Sequence, residues 1–150
     1  MHGPEGNPNR IGQPAEPAAL WDNRPVASVL STVVIDALDR ELVADFWAAA
    51  LGWERWVDDD GDLVVGDRAG RSLFILLVLE VPEAKTTKNR LHLDLNPVGV
   101  DQAAELERLL SLGARRIDIA QGETSWVVLA DPEGNEFCLL ARRVDGPLAT

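Results

Sequence analysis

Tyrosine is absent from the 150-residue chain, cysteine occurs once and histidine only twice. Each scarcity removes a class of chemistry. The single cysteine, Cys138, excludes an intrachain disulfide and fits a reducing, cytoplasmic setting. One of the two histidines, His2, lies in a proline-rich N-terminal stretch. An extradiol-type iron site of two histidines and one carboxylate therefore cannot be built from the rest of one chain. Lack of tyrosine removes a phenolic acid or hydrogen-bond donor. No Gly-x-Ser-x-Gly elbow occurs, and no Gly-x-Gly-x-x-Gly follows a strand pattern, which disfavours serine hydrolase and dinucleotide-binding folds. Positive charge is also sparse. Fourteen Lys and Arg face 25 Asp and Glu, and the net charge of −11 argues against nucleic acid and against anionic membrane surfaces. No apolar run approaches the roughly 20 residues of a membrane span. The N-terminus has no basic segment followed by an apolar one, so no secretory signal is expected.

The remaining composition suits a globular protein. A hydrophobic fraction of 46% supports a core without metal or disulfide staples, and the length fits one domain or two half-size modules sharing a core. Residues 1–25 hold five of the nine prolines and few large apolar side chains, and are expected to form a flexible arm. Residues 29–36, VLSTVVID, read as a β-branched strand. Asp39 is placed to cap a helix over 40–51, whose apolar positions Leu42, Val43, Phe46, Trp47, Ala50 and Leu51 recur at helical spacing, and Gly52 to end it. Short strands at 53–57 and 63–66 flank Asp60-Gly61, a hairpin dipeptide. The acidic run at 58–60 is a solvated turn rather than a calcium loop. Residues 72–81 read as a long strand buried on both faces, and 82–88 as a polar linker.

The order then repeats. A strand is expected at 90–95, a helix at 100–112 with Ala103, Leu106, Leu109 and Leu110 on one side, and Gly113 as its stop. Strands at 114–120 and 124–130 lead to the turn Asp131-Pro132-Glu133-Gly134-Asn135 and a last strand at 136–141. Leu51-Gly52 matches Leu112-Gly113, and Asp67…Gly70 matches Asp131…Gly134. The expected fold class is α+β: two βαβββ modules, 28–81 and 89–141, pairing as a curled mixed sheet around a cavity, with a C-terminal tail at 142–150. Neither module buries both sheet faces alone. A ferredoxin-like βαββαβ domain has too few strands for these turns.

The segments DALDRELVADFWAAALGW, KNRLHLDL, LERLLSLGA and WVVLADPEGNEFCLL, in that order, resemble the vicinal oxygen chelate superfamily, which includes glyoxalase I, bleomycin-resistance proteins and extradiol dioxygenases, and within it the glyoxalase-like branch. The resemblance implies paired βαβββ modules around a cavity. It also implies a divalent metal held in many members by histidine and glutamate from the first and last strands of each module. In the second module, His92 matches the first-strand ligand position. In the first, that position falls on or near Thr32, a poor ligand. Counted from Asp131, the last-strand glutamate position falls on Cys138, with Glu136 two residues nearer the turn.

By strand parity, Leu91, Leu93 and Leu95 are expected under the helices, with His92 and Asp94 facing the concave side. Asp36 either faces the cavity mouth or belongs to the strand end beside the helix cap. Glu80 is the one oxygen donor of the fourth strand and comes late in it. Trp53, Trp56 or Trp126 either wall a planar apolar pocket or fill core, and Trp47 falls on the helix's apolar side. Lys88 and Arg90 either meet an anionic ligand or lie on the surface. The expected catalytic candidates are His92 and Glu136, and the expected ligand-binding set is Thr32, Asp36, His92, Asp94, Trp126, Glu136 and Cys138.

Three functions are compatible with these residues. The first is a small-molecule-binding protein with no cofactor, the usual divalent metal being disfavoured. The second is a lyase, isomerase or dioxygenase-like enzyme with a degenerate metal site on His92. The third is an interaction module whose arm docks a partner. Pairing of modules within one chain, or across a homodimer, stays open.

Overall fold

A computed structural model describes residues 28–120 and 122–146. The expected arm at 1–25 and the end of the expected tail lie outside the described residues. Ten elements follow in the order β1 (Thr32–Ala37), α1 (Arg40–Leu51), β2 (Glu54–Val57), β3 (Leu63–Gly66), β4 (Ile75–Glu80), β5 (Asp94–Leu95), α2 (Gln102–Ser111), β6 (Arg115–Arg116), β7 (Val127–Ala130) and β8 (Glu136–Leu139). They form two four-stranded mixed sheets, β1-β4-β3-β2 and β5-β8-β7-β6. Each sheet pairs its first strand in parallel with its last, and the remaining neighbours are antiparallel. The βαβββ duplication is therefore present in topology, and the two sheets do not close into one barrel.

The helix ends follow the sequence closely. Asp39 accepts from Leu42 N–H at 3.1 Å, which satisfies one of the donors that α1 leaves open. Gly52 takes φ +65° after the last turn, a left-handed conformation that glycine adopts without a Cβ penalty. The second helix starts at Gln102, not at residue 100, because the Asp101 carboxylate accepts from Ala104 N–H at 2.8 Å. Of its four expected core positions, Leu106 and Leu109 are buried, Leu110 is half-buried, and Ala103 is exposed.

The core joins both modules. Phe46 and Trp47 of α1 meet Phe137 of β8 at ring-centroid distances of 5.8 and 5.2 Å, and each other at 5.4 Å. Around this trio lie Val43, Leu63, Leu76, Leu109 and Leu139. Trp53 stacks edge-on against Phe74 and contributes to the core margin.

The turn at 131–135 is where the second module grips the first. Asp131 is fully buried, and its carboxylate accepts from Glu133 N–H at 3.0 Å, Asn135 N–H at 2.9 Å, the Asn135 side-chain amide at 2.8 Å and Trp47 Nε1–H at 3.2 Å. Glu133 reaches forward to the start of α1, where Leu38 and Asp39 N–H donate to its two oxygens at 2.8 and 2.6 Å. A carboxylate there also meets the positive end of the helix dipole. The other end of α1 is held by α2: Arg108 donates to the carbonyls of Ala49 and Ala50 at 3.0 and 2.8 Å. Both ends of one helix are thus tied by side chains of the other module. The earlier turn at 67–71 repeats the local geometry, with Asp67 accepting from Ala69 and Arg71 N–H, but carries alanine where the later turn has Glu133.

Several expected strands are shorter. The fourth begins at Ile75, and Leu77 and Leu79 are only half-buried, so it is not covered on both faces. The stretch expected as a strand at 90–95 pairs only at Asp94 and Leu95. Leu91, expected in the core, is 89% exposed, because the chain ahead of Asp94 leaves the sheet. Leu93 and Leu95 do pack against the core.

Candidate functional site

A cavity of about 560 Å³ opens between β1 and the unpaired segment that leads into β5. Its volume falls in the range of small-molecule sites. Val34, Ile35, Val81, Leu91 and Leu93 provide its apolar surface. Trp47, otherwise enclosed, reaches it from below. Polar groups come from Asp36 on β1, His92 ahead of β5, Glu136 on β8 and Arg90. Residues 33–36 of β1 all line the cavity, Val34 and Asp36 exposed, and Val33 and Ile35 half-buried and packed against the core.

A second hollow, of about 700 Å³, runs along the outer edge of β6 and β7 and includes Trp126, Arg116, Asp118 and Glu123. It is larger but more open, and His92, Asp94 and Cys138 are not part of it. The inter-module cavity is the better candidate because polar groups from both modules converge there. The structure therefore separates Trp126 from the other candidates. Thr32, half-buried at the start of β1, lines neither cavity, and Trp53 and Trp56 line neither.

Beside the cavity stands a compact donor cluster. Asp94 lies directly opposite Cys138 in the parallel β5–β8 pair. The register is pinned by Cys138 N–H to Leu93 O at 2.9 Å and Leu140 N–H to Leu95 O at 2.8 Å. His92 precedes Asp94 by two residues, and its Nδ1 is 4.0 Å from the Asp94 carboxylate. One ligand atom from each of His92, Asp94 and Cys138 lies within 4.8 Å of the other two. His92 belongs to both cluster and cavity; Asp94 and Cys138, expected among the ligand-binding residues, belong to the cluster and do not line the cavity. Burial, with the charge of Asp94 and the hydrogen bond to it, pushes the Cys138 thiol up to about 11. At neutral pH the sulfur is a protonated thiol, which makes it a poor nucleophile.

Glu136 shares the face of Cys138, but its oxygens are engaged. Lys85 donates to one oxygen at 3.0 Å and lies 2.9 Å from the other, which also accepts from Asn89 N–H at 2.9 Å. Burial favours the neutral acid, yet the Lys85 and Asn89 hydrogen bonds outweigh it and hold the carboxyl below its usual value. Glu136 thereby latches the linker between modules across the cavity's edge. Because the folded-state pKa is the lower one, this latch contributes stability above the ordinary carboxylate range and loses it as pH falls through the depressed pKa. Glu136→Gln is expected to flatten that acid limb. Thermal midpoints of the two proteins between about pH 7 and about pH 3 check this, and parallel profiles would contradict it.

The metal centre that the resemblance implies needs donors from both modules. The first module's strands offer Thr32 away from the cavity, Asp36 lining it at the end of β1, and on β4 only Glu80 beyond a run of apolar side chains. The usual two-module set of histidines and glutamates does not fit these positions. Lys85, Asn89 and Glu133 are the residues that sequence reasoning missed. Lys85 and Asn89 lie in a linker without periodicity, and Glu133 looked like an ordinary turn residue.

Among the described residues, no helix is long and apolar enough to cross a membrane. A family model described as a glyoxalase-like domain matches residues 32–140. No curated protein sequence matches the chain. Among solved structures, similarity extends to the fosfomycin resistance protein FosX from Listeria monocytogenes, at 16% identity and a TM-score of 0.56, over 78% of this chain and 93% of that one. It extends also to TnmS3, an antibiotic-binding protein from Streptomyces sp. CB03234, at 20% identity and 0.55, over 78% and 98%. A glyoxalase/bleomycin resistance protein from Albidiferax ferrireducens T118 aligns at 18% identity and 0.52, over 75% and 98%. At these identities the likeness is one of fold.

Proposed function

Since the chain belongs to the glyoxalase-like domain family of the vicinal oxygen chelate superfamily, we propose that it binds a small organic molecule in the inter-module cavity without the two-module metal centre of the family's enzymes. The observation that carries this is the cavity itself: about 560 Å³, with an apolar surface from β1, Val81, Leu91 and Leu93 and polar side chains contributed by both modules. Such a surface combines apolar contact with polar groups that orient a ligand. The antibiotic-binding neighbour supports the same reading at the level of fold. A single cysteine leaves no intrachain disulfide to form, which is compatible with a cytoplasmic setting.

The alternative is a lyase, isomerase or dioxygenase-like enzyme. One observation favours it: Asp94 stands 4.0 Å from His92 Nδ1, beyond hydrogen-bond length but near enough for a side-chain rotation to let it orient the imidazole of a general base. Engagement of Glu136 by Lys85 weakens its candidacy as the partner acid.

Chelator-treated protein screened by thermal shift against fosfomycin and a panel of aromatic antibiotics separates the two. The expected result is stabilisation by at least one compound, recovered unchanged after incubation, and lost in Val34→Arg, which fills the cavity from an exposed position. Stabilisation that needs an added divalent ion, or conversion of the compound, would overturn the binding reading.

A further inference from the structure

We propose that residues 82–92 form a strap that gates the inter-module cavity, and that Glu136 is the latch that holds it shut. The gate rests on the small-molecule reading above and adds the route by which the molecule enters.

The strap is defined by what holds it. At one end Val81 N–H donates to Ala37 O at 2.8 Å, and at the other Leu93 O accepts from Cys138 N–H at 2.9 Å. Between these bonds the chain forms no helix or strand. Among the described residues, no backbone–backbone hydrogen bond joins 82–92 to the rest of the fold, and none of its side chains belongs to the hydrophobic core. Two further bonds, Lys85 Nζ to Thr87 O and Lys88 Nζ to Asn89 O, stay inside the strap. His92 Nδ1 is 4.0 Å from Asp94, beyond hydrogen-bond length. What remains is one carboxylate. Glu136 accepts from Lys85 Nζ at 3.0 Å and from Asn89 N–H at 2.9 Å, and these are the two strap residues drawn inward. Asn89 is half-buried, and the Lys85 side chain is 21% exposed.

Six strap residues line the cavity: Glu83, Lys85, Asn89, Arg90, Leu91 and His92. The facing wall, residues 33–36, is a strand paired in parallel with β4, and Trp47 below is tied to Asp131. The strap is therefore the wall that opens at local cost, because few buried contacts are lost with it. Glu136 itself stays in place, since its backbone is paired with Ala130 in the β7–β8 ladder. On release, water takes over Lys85, Asn89 N–H and the Glu136 oxygens, so opening costs only the net worth of two charge-assisted hydrogen bonds. Leu91 lines the cavity yet is 89% exposed. A bound apolar molecule gives it a contact it otherwise lacks, and so favours the closed strap.

The chain's only two lysines, Lys85 and Lys88, both lie in the strap, so a lysine-specific protease reads its opening in the full chain without any ligand. Glu136→Gln is expected to be cut about 10–100-fold faster than wild type, the range for weakening hydrogen bonds to a charged group. The rate should be nearly flat in urea below the unfolding transition, as a local opening requires. Lys85→Met, cut at Lys88 alone, is expected to accelerate too, and decides the matter if Glu136→Gln fails to fold. Nile red, a neutral apolar dye, reads the gate by stopped-flow fluorescence. In Glu136→Gln its association and dissociation are expected to quicken together by about tenfold, with Kd within about threefold of wild type. Val34→Arg is expected to abolish the dye signal. Equal cleavage rates in wild type and both variants, or cleavage that rises with urea in step with global unfolding, would overturn the latch. Faster cleavage with unchanged dye rates would overturn the gate. Faster cleavage with no dye signal in any protein would sink the small-molecule reading, and the gate with it, while the latch stands.

Discussion

Asp131→Ala is expected to destabilise the protein by about 3–5 kcal/mol, a large share of the 5–15 kcal/mol typical of a domain. The carboxylate is fully buried and accepts four hydrogen bonds. Hydrogen bonds to charged groups contribute about 1.5–3 kcal/mol each, and orphaned buried donors add their desolvation cost. The contributions overlap because three of the donors belong to the same turn, which is why the total is set below their sum. The Trp47 bond differs in kind, since it crosses from β8's turn to α1. Asp131→Asn keeps one acceptor oxygen but points an amide at donors, with an expected loss of about 1–3 kcal/mol. Urea unfolding of both variants checks the order. A loss under about 1 kcal/mol for Asp131→Ala would mean that the turn is not the bracket described.

Phe137→Ala is expected to cost about 3–5 kcal/mol, the range for truncating a buried aromatic residue. Phe137 is completely enclosed and touches the rings of both Phe46 and Trp47, so its removal opens a void at the junction of the two modules. Its neighbours along β8 are Glu136 and Cys138. Loosening this strand should therefore also loosen the linker latch and the donor cluster. The near-ultraviolet circular dichroism of the tryptophans should weaken along with the unfolding free energy. Unchanged dichroism with a loss below about 2 kcal/mol would show that the core collapses to fill the gap. Both Asp131 and Phe137 act on Trp47, so the double variant should lose less than the sum of the single losses.

Much of this architecture was legible because it rests on local rules. Asp39, Gly52 and the two Asp-x-x-Gly turns act within a few residues of themselves, and each does what its spacing implies. The hydrophobic face of α1 was equally clear, apart from Leu42 at its exposed edge. Legibility failed where alternation was extrapolated beyond paired backbone. Leu91 fits the period of a strand, yet alternation selects faces only while the chain stays in a sheet, and pairing begins at Asp94. Trp126 parts from the other candidates for a related reason: it sits just ahead of β7, the inner strand next to β6, and so borders the hollow on that side and not the inter-module cavity.

The candidate site divides along the same line. Sequence parity placed His92 and Asp94 on one face, and counting from Asp131 placed Cys138 at the last-strand position. It could not bring them together, because the parallel register between β5 and β8 spans more than 40 residues of chain. Nor could it find Lys85 and Asn89 on Glu136, or Glu133 at the start of α1, since irregular segments carry no period from which a partner can be read.

The sequence by itself determined the duplicated βαβββ order, the helix limits within two residues, and a histidine census too small for an extradiol-type set of two histidines and one carboxylate outside the N-terminal stretch of one chain. These follow from local propensity, turn chemistry and counting. The tertiary structure alone decided that the turn at 131–135 binds the modules together, that Glu136 is committed to Lys85, and that His92, Asp94 and Cys138 share one corner beside the cavity. Those facts depend on register and on packing between distant segments, where the free energy comes from excluding water and satisfying buried polar groups.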